Sequence, residues 1–318
     1  MFWTMVIGAV PTLGNALCGH LVRSIGAAKE AGFGMSMGVV LNIILDPVFM
    51  FVLLPRGMEV TGAAIATCLS NTIAFAYFMI YIVRHRDNQV FTFSAADFTL
   101  QEGIPGEVFS IGTAAALQTF LAMVSNIFAN KLVVEYGSAA VAGMGIAKKV
   151  NMIAFNTTMG LTQGVLPLIA YNYGARKYER MEAVIRFTAG VALGFTICCT
   201  VFFRLFAGRL ITFFISDPDS VAFGTRFLSV LAFAAPLCAL SYMANTIFQA
   251  AGDRRASFIL SIMRKGVVDI PAMYIFKMLI GLNGVVWATP FAEVTSAVTA
   301  SVLYMRFKRR VAKMKEEK

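Results

Sequence analysis

The sequence predicts an all-α polytopic membrane protein, and three observations carry that reading. Only 14% of the 318 residues are charged and 58% are hydrophobic, with a mean hydropathy of +0.73; soluble domains carry about 25% charged residues. Apolar windows of about 20 residues, the length at which a helix crosses a bilayer, recur along the whole chain. The Lys and Arg behind the net charge of +10 fall between those windows, where basic loops belong on the cytoplasmic side, so the charge does not call for a nucleic-acid partner.

The windows place nine transmembrane helices near 2–22, 32–54, 61–83, 108–133, 139–172, 184–214, 222–248, 257–279 and 284–305. The fifth and sixth exceed a bilayer's thickness and must tilt, bend or protrude, with Gly160, Gly164 and Pro167 as bend points in the fifth. Residues 85–106, bounded by RHRDN (84–88) and QEGIPGE (101–107), are polar and form a linker. The domain reading is three helices in 1–84, the linker 85–106, and six helices with a basic cytoplasmic tail in 107–318.

Alternate connections are rich in base: Arg23 and Lys29; Arg84 and Arg86; Arg176, Lys177, Arg180 and Arg186; Arg254 and Arg255; Arg306, Lys308, Arg309 and Arg310. These are expected in the cytoplasm with the C-terminus, and Arg56, Lys131, Arg204 and Arg209 are the exceptions on the other side. The first apolar run, from Phe2, has no basic region before it and is not read as a signal peptide. Nine spans with a cytoplasmic C-terminus start outside, so an odd number of helices is expected upstream of Met1. The cysteines, Cys18, Cys68, Cys198, Cys199 and Cys238, all lie in apolar segments without CxxC spacing and read as buried thiols.

An internal repeat points the same way. Gly62-Ala-Ala-Ile-Ala-Thr67 matches Gly284-Val-Val-Trp-Ala-Thr289, Asp46-Pro47 matches Asp269-Ile-Pro271, Gly26 matches Gly252 and Pro11 matches Pro236, at offsets between 222 and 226. Helices one to three therefore correspond to helices seven to nine. Helices four to six have no counterpart, as in a six-plus-six protein with an incomplete N-lobe of three helices and a complete six-helix C-lobe. Parallel repeats of this kind are a known transporter plan.

Polar groups inside the spans are the candidates for chemistry, because ionisable groups there are expensive and mark ion or substrate paths. Asn42 and Asp46 lie one helical turn apart in LNIILDP and, with Thr67, could supply oxygens to a proton or a hard cation such as sodium. Against that, Asp46 could orient a helix break before Pro47, and small-residue packing explains GAAIAT without a ligand. In the second half Glu293 and Asp269 are the embedded acids. Arg264 and Lys265 precede Asp269 by five and four residues, so an intrahelical ion pair competes with function there, while Glu293 has no basic neighbour at helical spacing. Gln118 and Gln163 are the amides expected to line a cavity; Asn126, Asn130, Asn156 and Thr158 read as interhelical hydrogen-bonding groups. His20 and His85 are isolated and are not read as metal ligands. No GxSxG, HExxH, P-loop or dinucleotide fingerprint occurs in a credible context. The chain is therefore not read as an enzyme and needs no cofactor, and a proton or sodium gradient is the drive that remains.

LNIILDP (41–47) followed by VTGAAIAT (60–67), GLTQGVLPLIAYNYGARKYER (160–180), IFQAAGDRRASF (247–258) and LNGVVWATPFAE (282–293) resemble the multidrug and toxic compound extrusion (MATE) transporters over essentially the whole chain. The resemblance implies two six-helix lobes, alternating access, and export of organic cations in exchange for protons or sodium, by a monomer in the plasma (inner) membrane. It also implies an N-lobe cation site that joins an acid on the lobe's first helix to an Asn and an Asp one turn apart and a Thr on the next helix; Asn42, Asp46 and Thr67 match all but the first acid, whose helix is not in this sequence. Second-lobe acids of some members have no match around Leu121 and Cys238, which leaves Glu293 as the second-lobe candidate. A flippase for a lipid-linked precursor with a similar two-lobe plan, and a non-transporting fragment, are the alternatives.

Overall fold

The computed structural model describes residues 2–55, 57–85 and 104–316, and all regular structure in them is helical. Lipid offers no partner for backbone N–H and C=O groups, so an apolar chain satisfies them within helices. The chain divides into two compact units, 1–99 and 100–318. Most of the expected linker, 86–103, as well as Arg56 and the side chain of Lys265, lies outside the described residues.

In the first unit α1 (Phe2–Ser24), α2 (Ala28–Pro47) and α3 (Glu59–Arg84) pack pairwise, with a π-helical segment, Val48–Leu53, extending α2. The helix does not break at Pro47, which stays helical at φ −61°. The widened turn begins immediately after it. Close helix approach rests on small residues: a Cβ on Gly34 would lie 2.5 Å from the Phe78 ring, and one on Gly62 would lie 2.6 Å from the Phe49 carbonyl oxygen. Gly62 thus lets α3 run directly against the π-helical backbone, which holds Thr67 beside α2.

The second unit contains α4 (Ile104–Val134), α5 (Ser138–Gly174), α6 (Tyr178–Thr212), α7 (Pro218–Leu231), α8 (Ala234–Ala250), α9 (Arg254–Ile262), α10 (Asp269–Ile280) and α11 (Leu282–Glu316). Its α5 runs unbroken through Pro167 and packs on α6, α7 and α8. A Cβ on Gly143 of α5 would lie 2.7 Å from the Gly224 nitrogen of α7, and one on Gly224 would lie 2.8 Å from the Ile211 side chain of α6.

Two of the expected spans are each divided, and proline explains both breaks. The window 222–248 is α7 and α8, bent by 43°. Pro236 has no N–H to give to the carbonyl four residues back, Ala232. The Thr200 hydroxyl donates to that oxygen at 2.8 Å and the Asn151 amide to the neighbouring Leu231 carbonyl at 3.3 Å. The window 257–279 is α9, a π-helical segment Met263–Val267, and α10. Here Pro271 cannot bond to Val267, and the ladder widens just before it.

The repeat is visible in the backbone. Gly26 and Gly252, matched in sequence, both adopt positive φ (90° and 69°) in the turns after α1 and α8. Glycine is favoured there because a left-handed turn disfavours a side chain. Gly62 and Gly284 both abut the backbone of the preceding helix. Among the described residues four helices are long and apolar enough to cross a membrane, at 28–53, 59–84, 115–134 and 178–212, and the bent pair 218–250 makes a fifth.

Candidate functional site

In the first unit the structure brings Asn42, Asp46 and Thr67 together. The Asn42 amide nitrogen donates to Asp46 Oδ1 at 3.1 Å and to Thr67 Oγ1 at 3.3 Å, and the Thr67 hydroxyl donates to the Ala63 carbonyl at 2.9 Å. Asn42 and Asp46 are half-buried and Thr67 is exposed. The cluster reaches α1 as well. Asn71 donates to the Thr67 carbonyl at 2.9 Å and accepts from the Asn15 amide at 3.1 Å. Asn15 Oδ1 is itself shielded from solvent and accepts no hydrogen bond among the described residues.

Asn15 and Asn71 are site residues that sequence reasoning did not single out for a role. The signal available was a lone amide in the apolar run of α1 and the match of Asn71 to Glu293 in the repeat. The assembled donor set is one carboxylate with neutral amide and hydroxyl oxygens, a set suited to a proton or a small hard cation.

The second unit is built differently. Glu293 on α11 is 0% exposed and accepts from Arg264 Nε at 2.8 Å, and Arg264 is 5% exposed. The guanidinium also donates to Cys238 Sγ at 3.2 Å and lies 4.4 Å from the Tyr242 ring centroid. Arg264 comes from the π-helical segment before α10 and reaches across to α11 rather than along its own helix to Asp269. Asp269, fully buried, accepts from Ser125 of α4 at 2.6 Å. Glu293 Oε2 is buried and accepts no hydrogen bond among the described residues.

Of the amides expected to line a cavity, Gln118 accepts from Asn245 at 3.3 Å, and Asn245 accepts from Ser257 at 2.9 Å, so it ties α4 to α8 and α9. Gln163 is half-buried on α5. Asn126 accepts from Lys148 of α5 at 3.1 Å, a lysine inside a span that the sequence reading passed over.

The sequence profile of the MatE family matches residues 111–275. The chain belongs to the MatE family. Family members with similar sequences include the multidrug export protein MepA of Staphylococcus haemolyticus, 32% identical over 92% of this chain and 63% of the relative. MepA of Staphylococcus aureus strain MSSA476 is 30% identical over 89% of this chain and 61% of its own length. The chain thus spans somewhat under two thirds of the curated relatives it matches. Among solved structures, an outward-facing multidrug resistance MATE family transporter superposes with a TM-score of 0.87 at 24% identity, covering 98% of this chain and 69% of that one. A MATE structure in a bent conformation gives 0.83 at 25% identity, covering 99% and 68%. The MatE fold is therefore shared over almost the whole of this chain.

Proposed function

We propose that the chain acts in the secondary active export of organic cations and drugs, in antiport with protons or sodium, by alternating access. The observation that carries this reading is the Asn42–Asp46–Thr67 cluster, a carboxylate and neutral oxygens gathered inside apolar helices. The names of its relatives, multidrug export proteins, support the substrate class. Nine spans, a cytoplasmic C-terminus, lobes at 1–84 and 107–318 joined by 85–106, and a monomer in the plasma membrane complete the proposal, with alternate basic connections as support for the orientation.

Coupling is assigned to Asp46 and not to Glu293. Glu293 already holds an internal cation, the Arg264 guanidinium, whereas the Asn42 amide that donates to Asp46 is neutral. An ion at Asp46 would stabilise one orientation of the transporter and substrate the other, which is all that exchange requires. The test is efflux of a fluorescent organic cation from proteoliposomes under an imposed proton or sodium gradient. Asp46→Asn is expected to abolish gradient-dependent efflux, while the paired change Arg264→Met with Glu293→Leu, which leaves no buried charge stranded, keeps its ion dependence. Unchanged gradient dependence in Asp46→Asn would overturn the assignment.

A further inference from the structure

The turn between α5 and α6 contains an arginine where its counterparts use glycine. Lys177 N–H donates to the Asn172 carbonyl at 2.8 Å and Arg176 N–H to the Tyr173 carbonyl at 3.0 Å, closing the end of α5. That closure puts Arg176 at φ 55°, the only non-glycine residue at positive φ among the described residues. The α1–α2 and α8–α9 turns place Gly26 and Gly252 at the same point, two residues before the next helix. Left-handed backbone disfavours a side chain, and such strain persists where the side chain is wanted.

What the side chain reaches is a pocket of about 380 Å³, lined by Arg176, Lys177, Tyr178, Glu179, Arg180 and, from the far end of α11, Lys315. Four cations face one carboxylate there. Lys315 meets Glu182 at 3.4 Å, but Arg176, Lys177 and Arg180 have no carboxylate partner among the described residues. At the neighbouring α8–α9 turn, by contrast, Asp253 takes Arg310 at 3.1 Å. Tyrosines mark the level of the pocket: Tyr171 is 66% exposed with Lys177 over its ring at 5.7 Å, and Tyr173 stands edge-on to Tyr178. Tyrosine concentrates at the depth of lipid headgroups.

We propose that this pocket binds a phosphate group, presented by an anionic phospholipid headgroup. Guanidinium forks match phosphate oxygens in pairs, and basic pockets between helices at a membrane surface recognise such headgroups. Arg176 and Arg180 provide the forks, Lys177 and Lys315 the flanking charge, and Tyr178 the wall. The inference rests on the chain's place in a bilayer and is independent of transport.

The test is the thermal unfolding midpoint of the full 318-residue chain in neutral detergent, with phosphatidylglycerol, phosphatidylcholine or inorganic phosphate added. Phosphatidylglycerol is expected to raise the midpoint saturably and phosphatidylcholine to leave it unchanged. Arg176→Gly separates the two roles of the residue. Its midpoint without lipid should rise as the turn relaxes, and its lipid-induced shift should fall to less than half. Arg180→Gln should lose the shift without that gain, and Arg306→Gln, outside the pocket, should keep it. Equal response to both lipids, an undiminished shift in Arg176→Gly, or an equal loss in Arg306→Gln would overturn the site. A shift reproduced in full by millimolar inorganic phosphate would overturn the lipid as its source.

Discussion

Arg264 and Glu293 form an ion pair at 2.8 Å in which both side chains are withdrawn from solvent, one from a π-helical segment and one from α11. A buried pair is costly to assemble and far more costly to break, since removing one partner strands the other charge. Arg264→Met is expected to destabilise the second unit by about 3–5 kcal/mol. The double change Arg264→Met with Glu293→Leu should recover most of that loss. Chemical unfolding in detergent measures both, and equal instability of the single and double variants would show that charge is not what the pair contributes.

Asn15 extends the candidate ion site to α1 through Asn71. If it only joins helices, Asn15→Ala loses a bond worth about 0.6 kcal/mol, roughly threefold in an equilibrium constant. If its shielded Oδ1 faces the coupling ion, ion affinity falls by tenfold or more while stability changes little. Isothermal titration with sodium and a pH titration of substrate binding distinguish these, and the second outcome is the one expected.

Gly62 and Gly284 occupy matched places in the repeat, each against backbone of the helix before it. Alanine at either should cost about 1–3 kcal/mol through overpacking. Gly164→Ala, in a helix with open space around the position, should be neutral or stabilising by about 0.5–1 kcal/mol. Melting temperatures of the three variants check the contrast.

Asp217 caps α7, accepting from the Ser220 hydroxyl at 2.6 Å and the Ser220 N–H at 2.9 Å. Those bonds, the hydroxyl first, hold its carboxyl below the usual value of 3.8. A depressed acid stabilises the fold above its unfolded pKa and loses that effect as pH falls through the folded one. The stability difference between the parent and Asp217→Ala should therefore be constant above about pH 5 and shrink below pH 4. A difference that grows on acidification would contradict the cap.

Local spacing made part of the site legible in the sequence. Asn42 and Asp46 are four apart, a separation that any helix turns into neighbours, and the match of GAAIAT to GVVWAT called attention to Thr67. Glu293 was legible as a buried acid but its partner was not. Arg264 lies 29 residues away, and its direction depends on a π-helical widening that residue spacing does not predict. The same holds for the Lys148–Asn126 contact and for Arg176, whose left-handed backbone no sequence rule would assign to arginine.

By itself the sequence determined the all-helical membrane architecture, the repeat between the first three helices and the last three, and the polar residues worth watching. Those follow from hydropathy and from i, i+4 geometry, both local properties. Tertiary structure alone decided which carboxylate is already neutralised within the protein and which meets only neutral groups in its cluster. Charge pairing depends on where helices cross and how their ladders widen at Pro47 and Pro271, and these are set by packing across the whole unit.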